Sequence, residues 1–211
     1  MTKTPKNRLD AIGGEVPTNG AARGIQIQMP YRVQVELTGT SPLLFHRYNC
    51  ESVASKYNAK KGSMEKKTDD VESYVWRNEK GEISLPGHYL RGAIVNAARF
   101  QQDPRSPRKA ATDLYKAAIV SLTEHASLGM KEWSYIDCQR AVVNHGAIPR
   151  SRPCFTTGWK AVIILMVLLP EYIYPQLLNN TIQQAGRLIG VGDHRPTYGR
   201  FNVTKFEVLK D

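Results

Sequence analysis

A glycine-rich basic loop near the C-terminus carries the residues whose types and spacing best suit the binding of a phosphate chain. It runs from Gly190 to Phe201 and has the sequence GVGDHRPTYGRF. Glycine lets backbone N–H groups approach a phosphate because no Cβ intervenes, and arginine donates charge-assisted hydrogen bonds to phosphate oxygens. The candidate nucleic-acid contacts in this loop are Gly190, Gly192, His194, Arg195, Tyr198, Gly199 and Arg200. The competing explanation is structural, since glycines after a helix commonly terminate it.

A second motif lies upstream, from Ile83 to Ile94, and has the sequence ISLPGHYLRGAI. Pro86 is suited to open a helix, because its fixed φ matches the first helical turn. His88 and Arg91 are the candidate nucleic-acid contacts in this motif.

The two motifs together resemble those of the RAMP superfamily of CRISPR-associated proteins. That superfamily has an apolar-Pro-Gly-small-x-Leu-Lys/Arg-Gly segment opening its first helix, and a Gly-rich loop with Arg and a final Gly before its last strand. The chain looks like the Cas-seven branch, and the resemblance spans about Tyr31 to Val208. It implies an RNA-binding backbone subunit for antiviral defence, whose partners are a guide RNA, copies of itself in a helical filament, and other effector-complex subunits.

The charge balance favours a polyanionic partner. The 211 residues include 29 Lys and Arg against 19 Asp and Glu, a formal net charge of +10, and nucleic acid is the leading candidate. The longest apolar run, Ala161 to Leu169, is too short to span a bilayer, which needs about 20 residues. The N-terminus has no apolar signal region, so we expect a cytoplasmic location. The three cysteines form neither a disulfide framework nor a zinc pattern, and we expect no metal or cofactor.

Hydrophobic periodicity predicts an α+β fold. Apolar residues alternate from Tyr31 to Leu37 as in a half-buried strand, and apolar faces recur at helical spacing after Pro86 and after Pro170. Further elements are predicted as a helix near 110–122 and strands near 136–143, 159–169 and 200–208. This order predicts a ferredoxin-like (RRM-like) βαββαβ core, with an antiparallel sheet, two helices on one face and an open face opposite.

The predicted domain organisation is one domain with an N-terminal extension. Residues 1–30 hold few large apolar side chains and are predicted to be a flexible arm, either disordered or ordered against a neighbouring subunit or a nucleic acid. Residues 31–211 form the RRM-like domain, with insertions near 40–82 and 101–134.

Two basic segments extend the candidate surface. Residues 138–170 contain no acidic residue, and Arg150 and Arg152 are predicted to contact nucleic acid there, whereas Trp159 is assigned to the core. The insertion from Ser41 to Lys67 contributes His46 and Arg47 among many lysines. This density is typical either of a nucleic-acid surface or of a solvated helix face.

An enzymatic role is not expected. Some RAMP relatives cut target RNA with an aspartate in the loop after the first strand and a divalent metal, but the loop Thr40–Asn49 has no carboxylate. Metal-independent cleavage needs a base such as His46, His88 or His194 near the 2′-hydroxyl. Two rival functions stay open, a phage-type single-stranded nucleic-acid-binding protein without CRISPR and a RAMP-type endoribonuclease. Whether the final target is DNA or RNA also stays open.

Binding should be electrostatic and largely indifferent to sequence. We expect the logarithm of the affinity for single-stranded RNA to fall linearly with the logarithm of salt concentration, with a slope of about −0.7 per phosphate contact. Titrations at several salt concentrations measure this slope. A flat response, or tight binding to a single short sequence, would contradict it.

Overall fold

The computed structural model describes residues 29–60, 63, 70–143 and 146–209. Most of the arm predicted over residues 1–30 lies outside the described residues, as do Lys61, Lys66 and Lys67 of the basic insertion. The division into arm, domain and insertions therefore stays a prediction.

Strands and helices alternate along the described part of the chain. They are β1 (Tyr31–Gly39), β2 (Leu43–Leu44), α1 (Cys50–Asn58), β3 (Ser84–Pro86), α2 (Gly87–Ala97), α3 (Thr112–Ala118), β4 (Ile119–Ser121), β5 (His125–Ser127), β6 (Tyr135–Val143), β7 (Gly146–Phe155), β8 (Lys160–Val167), α4 (Pro175–Leu188) and β9 (Phe201–Leu209). Two short 3-10 helices span Glu72–Tyr74 and Ala98–Phe100.

The main sheet has four strands in the order β4-β8-β1-β9, and every neighbouring pair is antiparallel. Val33, Val35 and Leu37 of β1 are fully buried, while the residues between them are half-buried. Helices α2 and α4 cover this face, since their apolar side chains join the same buried cluster. The predicted α+β class with antiparallel sheets is confirmed.

One strand assignment was wrong. The strand predicted near 136–143 exists as β6, but it pairs with β7 in a separate sheet of order β2-β7-β6. The edge position beside β8 belongs to β4 instead. The helix predicted near 110–122 ends at Ala118, because the β-branched pair Ile119 and Val120 continues as β4. A third sheet joins β3 to β5.

The open face of the main sheet is not a stacking platform. The side chains that β1, β8 and β9 place there are Arg32, Gln34, Glu36, Thr38, Lys160, Val162, Ile164, Met166, Asn202, Lys205, Glu207 and Leu209. None is aromatic, so nucleic-acid bases cannot stack on this part of the surface as they do on aromatic platforms. The loops at the ends of the strands are left as the more suitable surface.

Two close packing contacts lie at the ends of strands β1 and β9 of the main sheet. Trp159 is buried, as predicted, and its indole Nε1 donates to the Ser41 carbonyl at 3.0 Å. Its ring occupies the position that a Cβ on Gly39 would need. At the other contact, α4 crosses the start of β9, and a Cβ on Gly186 would overlap the Phe201 carbonyl oxygen.

The α4 crossing gives a test of this packing. Gly186→Ala should lower the free energy of unfolding by about 1–3 kcal/mol, because the added methyl group meets backbone that cannot rotate away. The matched control is Gly92→Ala in α2, where no heavy atom lies within 4 Å of the new Cβ. That change should stabilise the helix by up to about 1 kcal/mol. Denaturant unfolding measures both variants, and a Gly186→Ala protein as stable as the control would contradict the close crossing.

Candidate nucleic-acid interface

The glycine-rich loop lies at the end of the main sheet where β1 ends and β9 begins. Backbone hydrogen bonds hold it to the segment that follows β1: Gly199 N–H donates to the Pro42 carbonyl at 2.7 Å and Asp193 N–H to the Leu44 carbonyl at 2.9 Å. Within the loop, Val191 N–H donates to the Gly199 carbonyl at 2.9 Å. Backbone hydrogen bonds therefore fix the position of the loop relative to β1.

The packing of the loop itself explains its glycines. Gly190, Gly192 and Gly199 all have φ between 74° and 81°, the left-handed region that favours glycine. A Cβ on Gly192 would lie 2.5 Å from the Leu44 carbonyl oxygen, and one on Gly199 would overlap the Val191 carbonyl oxygen. The space beside Gly199 that was predicted to admit a phosphate is thus filled by the chain's own backbone. Close packing and positive φ therefore account for these three glycines without a bound phosphate.

The β6–β7 hairpin is tied to the loop by an ion pair. Arg152 Nε lies 2.5 Å from Asp193 Oδ2, and Arg152 is only 6 % exposed. Neither atom makes a well-aligned hydrogen bond, so charge attraction holds the contact. The predicted nucleic-acid role of Arg152 is corrected accordingly, because its guanidinium is buried against Asp193.

Tyr198 forms the second tie between loop and hairpin. Gln139 Nε2 donates to the Tyr198 hydroxyl at 3.1 Å. A hydrogen bond to the Asp137 carboxylate raises the pKa of that hydroxyl. The polar end of Tyr198, predicted to contact RNA, is therefore engaged by the hairpin.

A stack of side chains runs from the basic insertion to the start of α2. The Arg47 guanidinium lies 4.6 Å from the centroid of the Trp76 ring. The Trp76 ring meets His88 edge-on at 6.0 Å, and His88 meets Tyr89 edge-on at 4.8 Å. His125 lies on Trp76 at 5.5 Å. We call Arg47, Trp76, His88 and Tyr89 the central stack.

Burial shifts the pKa values of two members of the central stack, His88 and Tyr89. Burial, and then the charge of His125, lowers the pKa of His88, so its imidazole is neutral at pH 7. Burial raises the pKa of the Tyr89 hydroxyl, Trp76 lowers it, and Asp193 and Arg195 also act on it. Within the central stack, the Tyr89 hydroxyl is therefore influenced by the charges of two residues of the glycine-rich loop, Asp193 and Arg195.

A first basic cleft lies on one side of the central stack. Its volume is about 210 Å³, and it brings together three residues predicted from the sequence, His46, Arg47 and Arg150, with Lys56. No carboxylate lines it among the described residues. The Nε of Arg47 is buried and meets no acceptor within the described ranges. Tyr48, on the same rim, is 70 % exposed.

A second basic cleft of about 550 Å³ lies against the glycine-rich loop. Arg99, His194 and Arg195 line it, and its one carboxylate among the described residues, Asp193, is paired with Arg152. Arg195 is exposed and makes no hydrogen bond or ion pair with the described part of the chain. Its charge is therefore not neutralised by a described neighbour.

Two predicted arginines have structural partners. Arg91 donates to the Ile119 carbonyl at 2.7 Å and to the Lys116 carbonyl at 2.5 Å, which ties α2 to the end of α3. Its predicted nucleic-acid contact is corrected to this role. Arg200 donates from Nε to the Pro196 carbonyl at 2.8 Å, within the loop.

Sequence reasoning missed several residues of the interface. Tyr89 lies inside the ISLPGHYLRGAI motif but was not among the predicted contacts, and neither were Trp76, His125 and Asp193. The partners of Trp76, His125 and Asp193 lie far away in the sequence.

Two negative findings concern the residues that the structure describes. No three His, Cys, Asp or Glu side chains there lie close enough to hold a metal ion. No helix there is both long and apolar enough to cross a membrane.

Comparison with known proteins finds similarity at the level of fold. No protein-family profile and no curated protein sequence matches the chain. Among solved structures, a chain of the Type III-B Cmr-beta complex bound to cognate target RNA is similar, with a TM-score of 0.48 and 10 % identity. The match covers 86 % of this chain and 61 % of that one, so this chain spans about three fifths of its length. Cmr6 from Pyrococcus furiosus gives a TM-score of 0.45 and 10 % identity, over 83 % of this chain and 98 % of that one.

Arg195 is the sharpest test of the interface. Arg195→Ala should weaken binding to single-stranded RNA about tenfold or more, because one charge-assisted phosphate contact contributes about 1.5–3 kcal/mol. The melting temperature should not change. The matched control is Arg108→Ala, which removes the same charge from another exposed position. If Arg195→Ala lowers the melting temperature but leaves affinity per folded molecule unchanged, the arginine only supports the loop.

Proposed function

We propose that this protein is a noncatalytic RNA-binding backbone subunit that polymerises along a CRISPR guide RNA in a multisubunit complex. One observation carries the proposal. The first basic cleft shares Arg47 with the central stack and the second lies against the glycine-rich loop, and the one carboxylate that lines them in the described residues is paired with a buried arginine.

This arrangement suits a single strand whose bases stay free to pair. Arginine and lysine neutralise phosphates without regard to sequence, and exposed aromatic rings such as Tyr48 stack on any base. The protein would hold the backbone of the RNA, while the guide itself reads the target by base pairing.

The proposed core is ferredoxin-like. The main sheet takes its strands in the chain order β1, β4, β8 and β9, with α2 between the first two and α4 between the last two. This is the βαββαβ path, and the spatial order β4-β8-β1-β9 agrees with it. The aromatic-free open face favours RNA at the end of the sheet rather than across it.

The absence of catalysis is part of the proposal. The loop from Thr40 to Asn49 has no carboxylate to hold a catalytic metal. His46 lines the first basic cleft and His194 the second, and the proposal gives both histidines contacts to phosphate or base rather than the role of general base. The assignment of the RNA as a CRISPR guide rests on the two sequence motifs.

The nucleic acid that co-purifies with the full-length protein tests the function. We expect RNA of defined length with a constant repeat-derived end and a variable remainder. Sequencing of the bound material measures this. Heterogeneous single strands with no constant end would support the phage-type binding protein instead. Cutting of labelled repeat RNA by the purified protein would support the endoribonuclease.

A further inference from the structure

The outer edge of the main sheet at β9 carries a groove that shares no lining residue with the two basic clefts. β9 is the last strand in the order β4-β8-β1-β9, so no described strand pairs with its outer side. A cleft of about 610 Å³ opens where α4 crosses the first residues of β9. Its polar lining includes the amides of Asn180, Gln183, Gln184 and Asn202, together with the side chains of Thr40, Arg187 and Arg200. A sheet edge beside a helix wall is the geometry that accepts an added peptide strand.

Only half of this edge carries charge. Lys205 and Glu207 form an ion pair of 2.8 Å in the second half of β9, and charged side chains on an edge strand discourage further pairing. The first half, from Phe201 to Thr204, contains no charged residue. The uncharged half is the one beside the amide-lined cleft.

The chain also contains a segment with the pattern of a missing strand. Residues Ile25 to Met29 read IQIQM, a strict alternation of apolar and polar side chains. Met29 is 85 % exposed, so the apolar row ends in a side chain that the described fold leaves uncovered. The alternating glutamines carry the same amide groups that line the cleft, and amides satisfy one another as donors and acceptors.

We infer that the IQIQM segment of one copy adds as a strand to the β9 edge of a second copy. The inference rests on the proposed side-by-side assembly along RNA and names the contact that joins neighbours. Backbone hydrogen bonds to Phe201–Thr204 would hold the added strand, and Gln26 and Gln28 would meet the amides of the cleft.

The short stretch of chain between the IQIQM segment and β1 indicates that the partner is another copy. Thr38 pairs with Asn202, so the cleft lies seven residues along β1 from Tyr31, which is about 23 Å. It is also two strand spacings away, about 10 Å, which makes the direct path about 25 Å. Ile25 lies six residues before Tyr31, and six residues span at most about 21 Å. The segment therefore cannot reach the cleft of its own copy.

A contact of this kind is open-ended. The arm of each copy engages a different surface on the next, so a row of copies keeps one free arm at one end and one free groove at the other. Such head-to-tail contacts extend into filaments when their rotation does not close a ring.

The test separates this contact from RNA binding. Ile27→Pro removes a backbone donor from the centre of the segment and disfavours strand pairing. The matched control is Ala22→Pro, which places the same residue outside the alternation. Binding is measured on an RNA that holds one copy and on one that holds several. We expect both variants to bind the short RNA like the wild type. Ile27→Pro alone should lose the cooperative steepness and roughly tenfold of the affinity on long RNA.

A variant on the receiving surface makes the test independent of the arm. Gln183→Trp puts a bulky ring at an exposed position of α4 in the cleft, and it should give the same loss on long RNA. Equal cooperativity in the wild type, Ile27→Pro and Gln183→Trp would overturn the strand-addition contact. Failure of the wild type to bind even the short RNA would instead overturn the proposed function.

Discussion

The ion pair between Arg152 and Asp193 joins the two parts of the interface. Arg152 belongs to the β6–β7 hairpin and Asp193 to the glycine-rich loop that precedes β9. This contact therefore couples the three-stranded sheet β2-β7-β6 to the main sheet. Asp193 also anchors the loop through its backbone N–H on Leu44. Because a nearly buried arginine without its partner is strongly unfavourable, the hairpin and the loop must stay together. The placement of the two basic clefts relative to each other depends on this coupling, because Arg150 of the hairpin lines the first and Asp193 lines the second.

Local periodicity was sufficient for β1 and α4, but it did not show the ten-residue strand β7, and it failed where pairing is non-local. The alternation in β1 and the apolar face of α4 are visible in the sequence because each element buries one side along its whole length. β4 has only three residues directly after a helix, too few to show a period. The sequence of β6 shows a strand but not its partner, which is why it was placed in the wrong sheet.

The arginines of the candidate interface show a similar limit to what can be predicted from sequence. Arg91, Arg152 and Arg195 look alike in the sequence, and each was predicted to contact nucleic acid. Arg91 is instead bound to two backbone carbonyls and Arg152 to a carboxylate, while Arg195 has no described partner. A guanidinium has five donors, and whether distant acceptors engage them depends on the tertiary fold. The same reason hid Trp76, whose partners Arg47, His88 and His125 come from three different segments.

The glycine-rich loop is already ordered by its own backbone. Gly199 fits against Val191 and hydrogen-bonds to Pro42, so the loop has its shape before any ligand arrives. A preorganised loop loses little conformational entropy on binding, whereas a loop that folds around its ligand must be ordered at that moment. Under the proposed function, differences in affinity between RNA strands would then arise mainly from how stiff each strand is and how readily its own backbone adopts the path across the loop.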